Sequence, residues 1–346
     1  MPSVTIDAGV LAAPPPDSDR ETVLEYVETL LDWRQLLDEP WVAIHMSERT
    51  AEVLDADGLY PLRHALRQAF TQTGIIEYDV NTVALVAENL LRLTPHFETV
   101  FRIRDVLCET TETEPDLLSI TPHQNLASEL ARCVVLFALL REHCRKPIVD
   151  HALVVRPWPG RTEVHVQAII HELEHDRDDM LPLPKPPDYF SGSVWVCQNF
   201  RDLVTGIDEV GVWKAAQDDV GCEVAVQIAL YKSRLDRNLE PEWGDNVNFR
   251  FGRRFIPRAN ECFQDNAESL MGRTLRAIVE TIDQLMLEDV HALRQIDSGG
   301  SPQRVRDRDK GWRRDIDREY HLHYWEGTDG IEFGWMGPHN DFRLPE

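Results

Sequence analysis

No apolar run in this chain of 346 residues approaches a membrane span. The longest, Cys133 to Leu140, falls far short of the roughly twenty residues that a helix needs to cross a bilayer. No basic stretch leading into an apolar one opens the sequence, so an export signal is not expected. The six cysteines form no C-x-x-C pair and keep no regular spacing, which argues against a disulfide framework or a zinc ribbon. Free thiols in a reducing, cytoplasmic compartment are expected instead, with Cys133 and Cys222 acting as small core hydrophobes. Basic residues are also scarce: 36 Lys and Arg stand against 60 Asp and Glu, a net charge of −24. The deficit is uneven. The first 245 residues hold 21 basic and 42 acidic side chains, whereas Asn246 to Glu346 hold 15 and 18. Such an acidic body repels phosphate and excludes non-specific nucleic-acid binding, leaving a protein as its expected partner. The one basic cluster, Arg304 to Arg318, carries seven basic residues against four acidic ones.

What is present is a change of texture along the chain. Met1 to Arg20, with Ala-Pro-Pro-Pro, reads as a disordered lead with little to bury. Residues 21–145 read as helical. Val23, Val27, Leu30, Leu31 and Leu37 recur at helical spacing, and Asp79 can cap a helix through Leu93. Thr121-Pro122-His123-Gln124 carries a threonine cap, a proline at the first helical position and a glutamine closing a capping box. From Lys146 the pattern turns β-rich, at Ile148 to Val155, Glu163 to Ile170, Ser193 to Cys197 and Glu223 to Tyr231. Arg156 to Gly160 reads as a hairpin turn joining the first two, and Leu181 to Pro187, with four prolines, as an extended loop. A mixed α/β domain over residues 146–240 is expected, followed by a polar linker through Asp245. Trp33, Trp41, Trp195, Trp213 and Trp243 lie in or beside apolar-patterned stretches and need no role beyond the core.

After the linker a smaller unit is expected over residues 246–346. Val247 to Phe251 reads as a strand, and Ala259 to Leu270 and Arg273 to Leu293 as helices ended at Ser298-Gly299-Gly300. Strands follow at Trp312 to Ile316, Tyr320 to Trp325 and Ile331 to Trp335, the last two joined by a turn at Gly327 to Gly330. The fold class is therefore α+β: a helical N-terminal part, a mixed α/β middle, then a module of one strand, two helices and three antiparallel strands.

That last module resembles the RelE/ParE superfamily of small bacterial toxins, most of all its YoeB branch. The resemblance rests on Gly299-Gly300-Ser301-Pro302-Gln303 leading to Gly311-Trp312-Arg313-Arg314-Asp315-Ile316-Asp317-Arg318-Glu319-Tyr320-His321-Leu322-His323-Tyr324. Trp312, Arg314, Ile316, Glu319, Leu322 and Tyr324 fall in register with the family pattern, and His339 falls at its C-terminal histidine. The resemblance implies a RelE-like endoribonuclease, independent of metals and cofactors, acting on RNA or the ribosome in a toxin–antitoxin or antiviral defence setting. It implies His339 as general acid, His321 in place of a phosphate-holding arginine, and Arg314 as a phosphate contact, with Arg313, Arg304 and Arg306 as further RNA-binding cations. Gln303 stands where the family has its glutamate base, and glutamine cannot accept a proton, so that role would pass to His321, His323 or Glu319. The acidic body would restrain the module. Otherwise the chain is a non-catalytic interaction subunit of a larger defence complex.

A second motif competes. His171-Glu172-Leu173-Glu174-His175 matches H-E-x-x-H, which on a helix places two histidines on one side to hold zinc while Glu172 activates water. It continues the period-two run Val164-x-Val166-x-Ala168, so a charged strand end is the plainer reading, and a zinc hydrolase stays the alternative.

Overall fold

The computed structural model describes residues 2–39, 41–148, 150–156, 158, 160–183, 186–216, 218–244, 248–263, 267–295 and 301–345. Ser-Val-Thr-Ile at Ser3–Ile6, with three β-branched residues in a row, is buried at every position and forms a strand, β1. Asp7 ends it and caps α1 (Ala8–Leu11), its side chain accepting from the Gly9 amide at 2.8 Å. Asp19 caps α2 (Arg20–Leu36) in the same way, and α2 buries Val23, Tyr26, Val27, Leu30 and Trp33. Next come β2 (Ala43–Met46), α3 (Thr50–Ala56), α4 (Arg63–Thr73) and α5 (Val80–Leu93). Gly74 closes α4 in the left-handed conformation that glycine adopts without strain, and Asp79 caps α5 as its sequence suggests. Then α6 (Phe97–Phe101), β3 (Ile103–Glu114), α7 (Gln124–Glu142), β4 (His151–Val154), β5 (Thr162–His175), β6 (Asp188–Cys197) and α8 (Phe200–Thr205) complete the first of two compact units, Met1–Gly206.

The six strands form one sheet in the order β2-β1-β4-β6-β5-β3. The first four run parallel, and β5 and β3 close that side antiparallel. The long apolar helix α7 packs on it: Leu130, Val134 and Phe137 share a core with Val164, Val166, Ile170, Val194 and Val196.

This sheet corrects several expectations. The lead through Arg20 is not disordered, because β1 is an interior strand with partners on both sides. The helical region over 21–145 and the domain over 146–240 are not separate, because β1, β2 and β3 of the one pair with strands of the other. The segment at Arg156 to Gly160 is not a hairpin turn, since β6 lies between β4 and β5; Pro157 and Pro159 there lie outside the described residues. The helix expected from Thr121 begins at Gln124, with His123 as a cap that makes no side-chain bond.

The second unit, Ile207–Glu346, starts well before the expected linker. It contains α9 (Glu209–Ala215), α10 (Asp219–Asp236), β7 (Phe249–Phe251), α11 (Phe255–Phe263) and α12 (Ala267–Ile282). The strands β8 (Val290–Ala292), β9 (Val305–Arg306), β10 (Asp309–Asp315), β11 (Tyr320–Gly327) and β12 (Gly330–Pro338) follow. Glu223 to Tyr231, expected as strand, is the middle of α10, whose buried Cys222, Ala225 and Val226 follow helical spacing. With Trp213 of α9 they join Phe255, Ala259, Leu275, Ile278, Leu322 and Phe333 in a single core, which is why the boundary lies near Gly206. The sheet order is β7-β12-β11-β10-β8, with β9 on β10; β7 runs parallel to β12 and the rest antiparallel. Strand, two helices and an antiparallel hairpin sheet thus occur in the expected order, although the second helix stops at Ile282 and Leu293 lies past β8. Val247 and the Ser298-Gly299-Gly300 stop lie outside the described residues.

Candidate active site

Alternation along β10, β11 and β12 sorts their side chains onto two faces, because directly paired residues of adjacent strands share a face. Arg314 pairs with Leu322, Leu322 with Met336, and Arg314 with Val290. These face the helices, and Leu322, Met336 and Val290 pack in the same core as α11 and α12. Arg313 pairs with His323 and with His291, and Asp315 pairs with His321. They lie on the outer face.

At one end of that face the strand geometry gathers three residues. Pro338 of β12 sits opposite Tyr320 of β11, so the next residue, His339, reaches the open end of the hairpin. There the His339 amide donates to Glu319 O at 2.8 Å, and its ring Nδ1 lies 3.1 Å from His321 Nε2. His321 is 1% exposed, whereas His339 and Glu319 are exposed. His321 Nε2 also lies 3.1 Å from Asp315 Oδ1, and His291 Nε2 lies 3.8 Å from Asp315 Oδ2. Burial lowers the His321 pKa against the pull of Asp315, with Arg313 and His339 lowering it further. His321 is therefore a neutral partner that can fix the orientation of His339.

The rest of the outer face is roofed by the chain itself. His323 Nδ1 donates to Arg343 O at 2.7 Å, Trp325 Nε1 to Pro345 O at 2.9 Å, and Trp335 Nε1 to Asp341 Oδ2 at 2.9 Å. Leu344 is buried among Leu293, Trp325 and Trp335. Burial pushes the His323 pKa down to about 4, so it is neutral and enclosed. With its ring fully buried and Nδ1 spent on Arg343 O, His323 cannot reach a 2′-hydroxyl to act as base.

The arginines separate sharply. Arg314 is 0% exposed and spends its guanidinium on Glu280 Oε2 at 3.2 Å and on the carbonyls of Glu280 and Leu285. It is a structural cation on the helix side of the sheet, not a phosphate contact, because its strand position points it away from His339. Arg313, its neighbour, lies half-buried on the histidine side, and among the described residues no carboxylate pairs with it. Arg306 is locked by Asp309 and Glu332 and stacks 4.8 Å over Trp325, near the far end of the β10–β11 pair. Arg304 donates to the carbonyls of Arg294, Gln295 and Leu344, and so ties down the roof. Gln303 gives its side-chain amide to Gly311 O at 2.9 Å, a role in joining loop to strand. Asp315 and His291 were overlooked in the sequence. The signal for Asp315 was the pairing of Arg-x-Asp with His-x-His across one hairpin; His291 lies on β8 and only the sheet pairing brings it there.

His171 and His175 both lie in β5, which removes the zinc geometry. Four residues along a strand separate them by about 13 Å, against one turn on a helix. His171 instead meets Glu109 at 3.0 Å across to β3, and His175 Nδ1 accepts from the Arg177 amide at 3.2 Å. Among the described residues, no group of three or more His, Cys, Asp or Glu is placed to hold a metal ion. No helix is long and apolar enough to cross a membrane among the described residues.

Compared with protein-family models, with curated proteins and with solved structures, the chain matches none.

Proposed function

We propose that the second unit is a RelE-like, metal-independent endoribonuclease module, and that the chain is a bacterial toxin-like or defence-related effector acting on RNA or the ribosome. The observation that carries this reading is the contact of the His321 and His339 rings at the open end of the β11–β12 hairpin, where the backbone of Glu319 holds the His339 amide. Backbone cleavage of RNA needs a base for the 2′-hydroxyl, a cation for the phosphate and an acid for the leaving oxygen. Glu319 takes the 2′-hydroxyl proton, and the freed oxygen attacks the adjacent phosphorus. The bond to the 5′-oxygen breaks, and His339 protonates that oxygen through Nε2 while Nδ1 rests on His321. A cyclic phosphate and a 5′-hydroxyl result. Arg313 holds the phosphate in the role first given to Arg314. The acidic first unit adds no affinity for RNA, which suits a regulatory part that answers to a protein partner.

The test is cleavage of a single-stranded RNA, with and without ribosomes, by the intact chain in the presence of a chelator. His339→Ala should lower the rate about a hundredfold or more, the usual scale for a positioned acid. An unchanged rate in His339→Ala would remove this site from the reaction, and no cleavage by the intact chain under either condition would leave the non-catalytic binding reading in its place.

A further inference from the structure

The carboxyl ends of the parallel strands in the first unit hold a polar network that RNA cleavage does not use. The chain passes from β1 to β2 on one side and later to β4 on the other, so the strand order divides between β1 and β4. Asp7 follows β1 directly, and its amide donates to Val154 O at 3.0 Å across the gap. Ser47 ends β2, Glu98 comes from α6, and Glu129 and Arg132 come from α7. Arg132 reaches Glu129 at 2.7 and 2.9 Å, Ser47 at 2.8 Å, and Glu98 as well. All five are buried.

Two carboxylates on one guanidinium leave a negative charge over. Asp7 adapts by holding its proton: burial first, then the nearby Glu129, lifts its pKa to about 7. Asp7 is 4% exposed, and its Oδ1 has no partner. Glu129 and Arg132 also line a crevice of about 660 Å³ between α3, β3 and α7. Its apolar wall is Val53, Ala56, Val106, Leu107 and Ala131, with Leu107 exposed. Both cations of the lining are already engaged, Arg132 as above and Arg49 by Asp105 at 2.6 Å. Glu52 lines the crevice with no ionic partner among the described residues. A phosphate would find no free cation here. The space is that of a small organic molecule, not of a lone metal ion.

We propose that this crevice binds an organic cation of small-molecule size, an aliphatic amine or guanidine, with its charged head on Glu52, beside the negative charge left over by Glu98, Arg132 and Glu129, and its hydrocarbon on the wall from Ala56 to Leu107. Calorimetric titration of the intact chain at physiological salt, with agmatine and spermidine as probes and ATP as the control, tests it. At least one amine should bind and ATP should not. Glu52→Gln should weaken that binding about tenfold, the scale of one charged hydrogen bond. Ala56→Trp, at an exposed helix position, should abolish it by filling the crevice without unfolding the protein. No binding by either amine, or equal binding to the Ala56→Trp variant, overturns the proposal, the latter because it would show only general attraction to an acidic surface.

Discussion

Replacing Arg314 should destabilise the second unit, whereas replacing its neighbour Arg313 should spare the fold and lower activity. Arg314 is wholly buried, and alanine removes its bonds to the Glu280 carboxylate and to the carbonyls of Glu280 and Leu285. Breaking a buried ion pair from one side costs about 3–5 kcal/mol, because the partner is left without compensation. Glu280 keeps Arg276 at 3.0 Å and lies at the edge of solvent, which moves the expectation to the low end, about 3 kcal/mol. For a unit of this size that lowers Tm by roughly 10 °C. Arg314→Lys keeps the charge but loses the planar fork, so it should fall between alanine and wild type. Differential scanning calorimetry of the intact chain would follow the second unit's transition, and the RNA assay would follow both variants. The reasoning fails if Arg314→Ala stays within about 1 kcal/mol of wild type, or if Arg313→Ala is destabilised as strongly.

Two further outcomes follow from burial. Asp7 has a folded pKa of about 7, above its value in the unfolded chain, so the folded state binds the extra proton between about pH 4 and 7. Its burial therefore costs nothing at acid pH, and the cost grows as pH rises toward 7 and stays in full above it. Asp7→Asn should raise stability at pH 8 while changing it little at pH 4.5, as read by urea unfolding; an equal effect at both would contradict this. A fragment of residues 207–346 should unfold cooperatively, while 246–346, which lacks Trp213, Cys222, Ala225 and Val226 of the shared core, should not. Cooperative unfolding of the shorter fragment would restore the linker as the boundary.

Local signals were legible where a single element decides them. Asp79 as a cap, the apolar helix through Cys133 to Leu140, the alternation of Val164, Val166 and Ala168, and the turn at Gly327 to Gly330 all occur as their residues suggest. Signals misled where the partner lies far away in sequence. Ser3–Ile6 is too short and too close to a proline-rich stretch to read as a strand, and only pairing with β2 and β4 makes it one. Glu223 to Tyr231 is apolar enough for either strand or helix, and burial of one side against the tail's core makes it helical. H-E-x-x-H matches a motif whose chemistry requires a helix, and pairing with β3 denies it one.

The sequence by itself determined the acidic balance, the absence of a long apolar run, most of the elements and the residues His339, His321 and Glu319 as a set worth testing. Tertiary structure alone decided that Arg313 and not Arg314 faces them, because adjacent residues of a strand point to opposite faces and only packing tells which face meets the helices. It also decided that Ser47, Glu98, Glu129 and Arg132, spread over more than eighty residues, form one buried network, with Asp7 near enough to feel the charge of Glu129. No periodicity records such a meeting, since it is made where separate strands and helices end side by side.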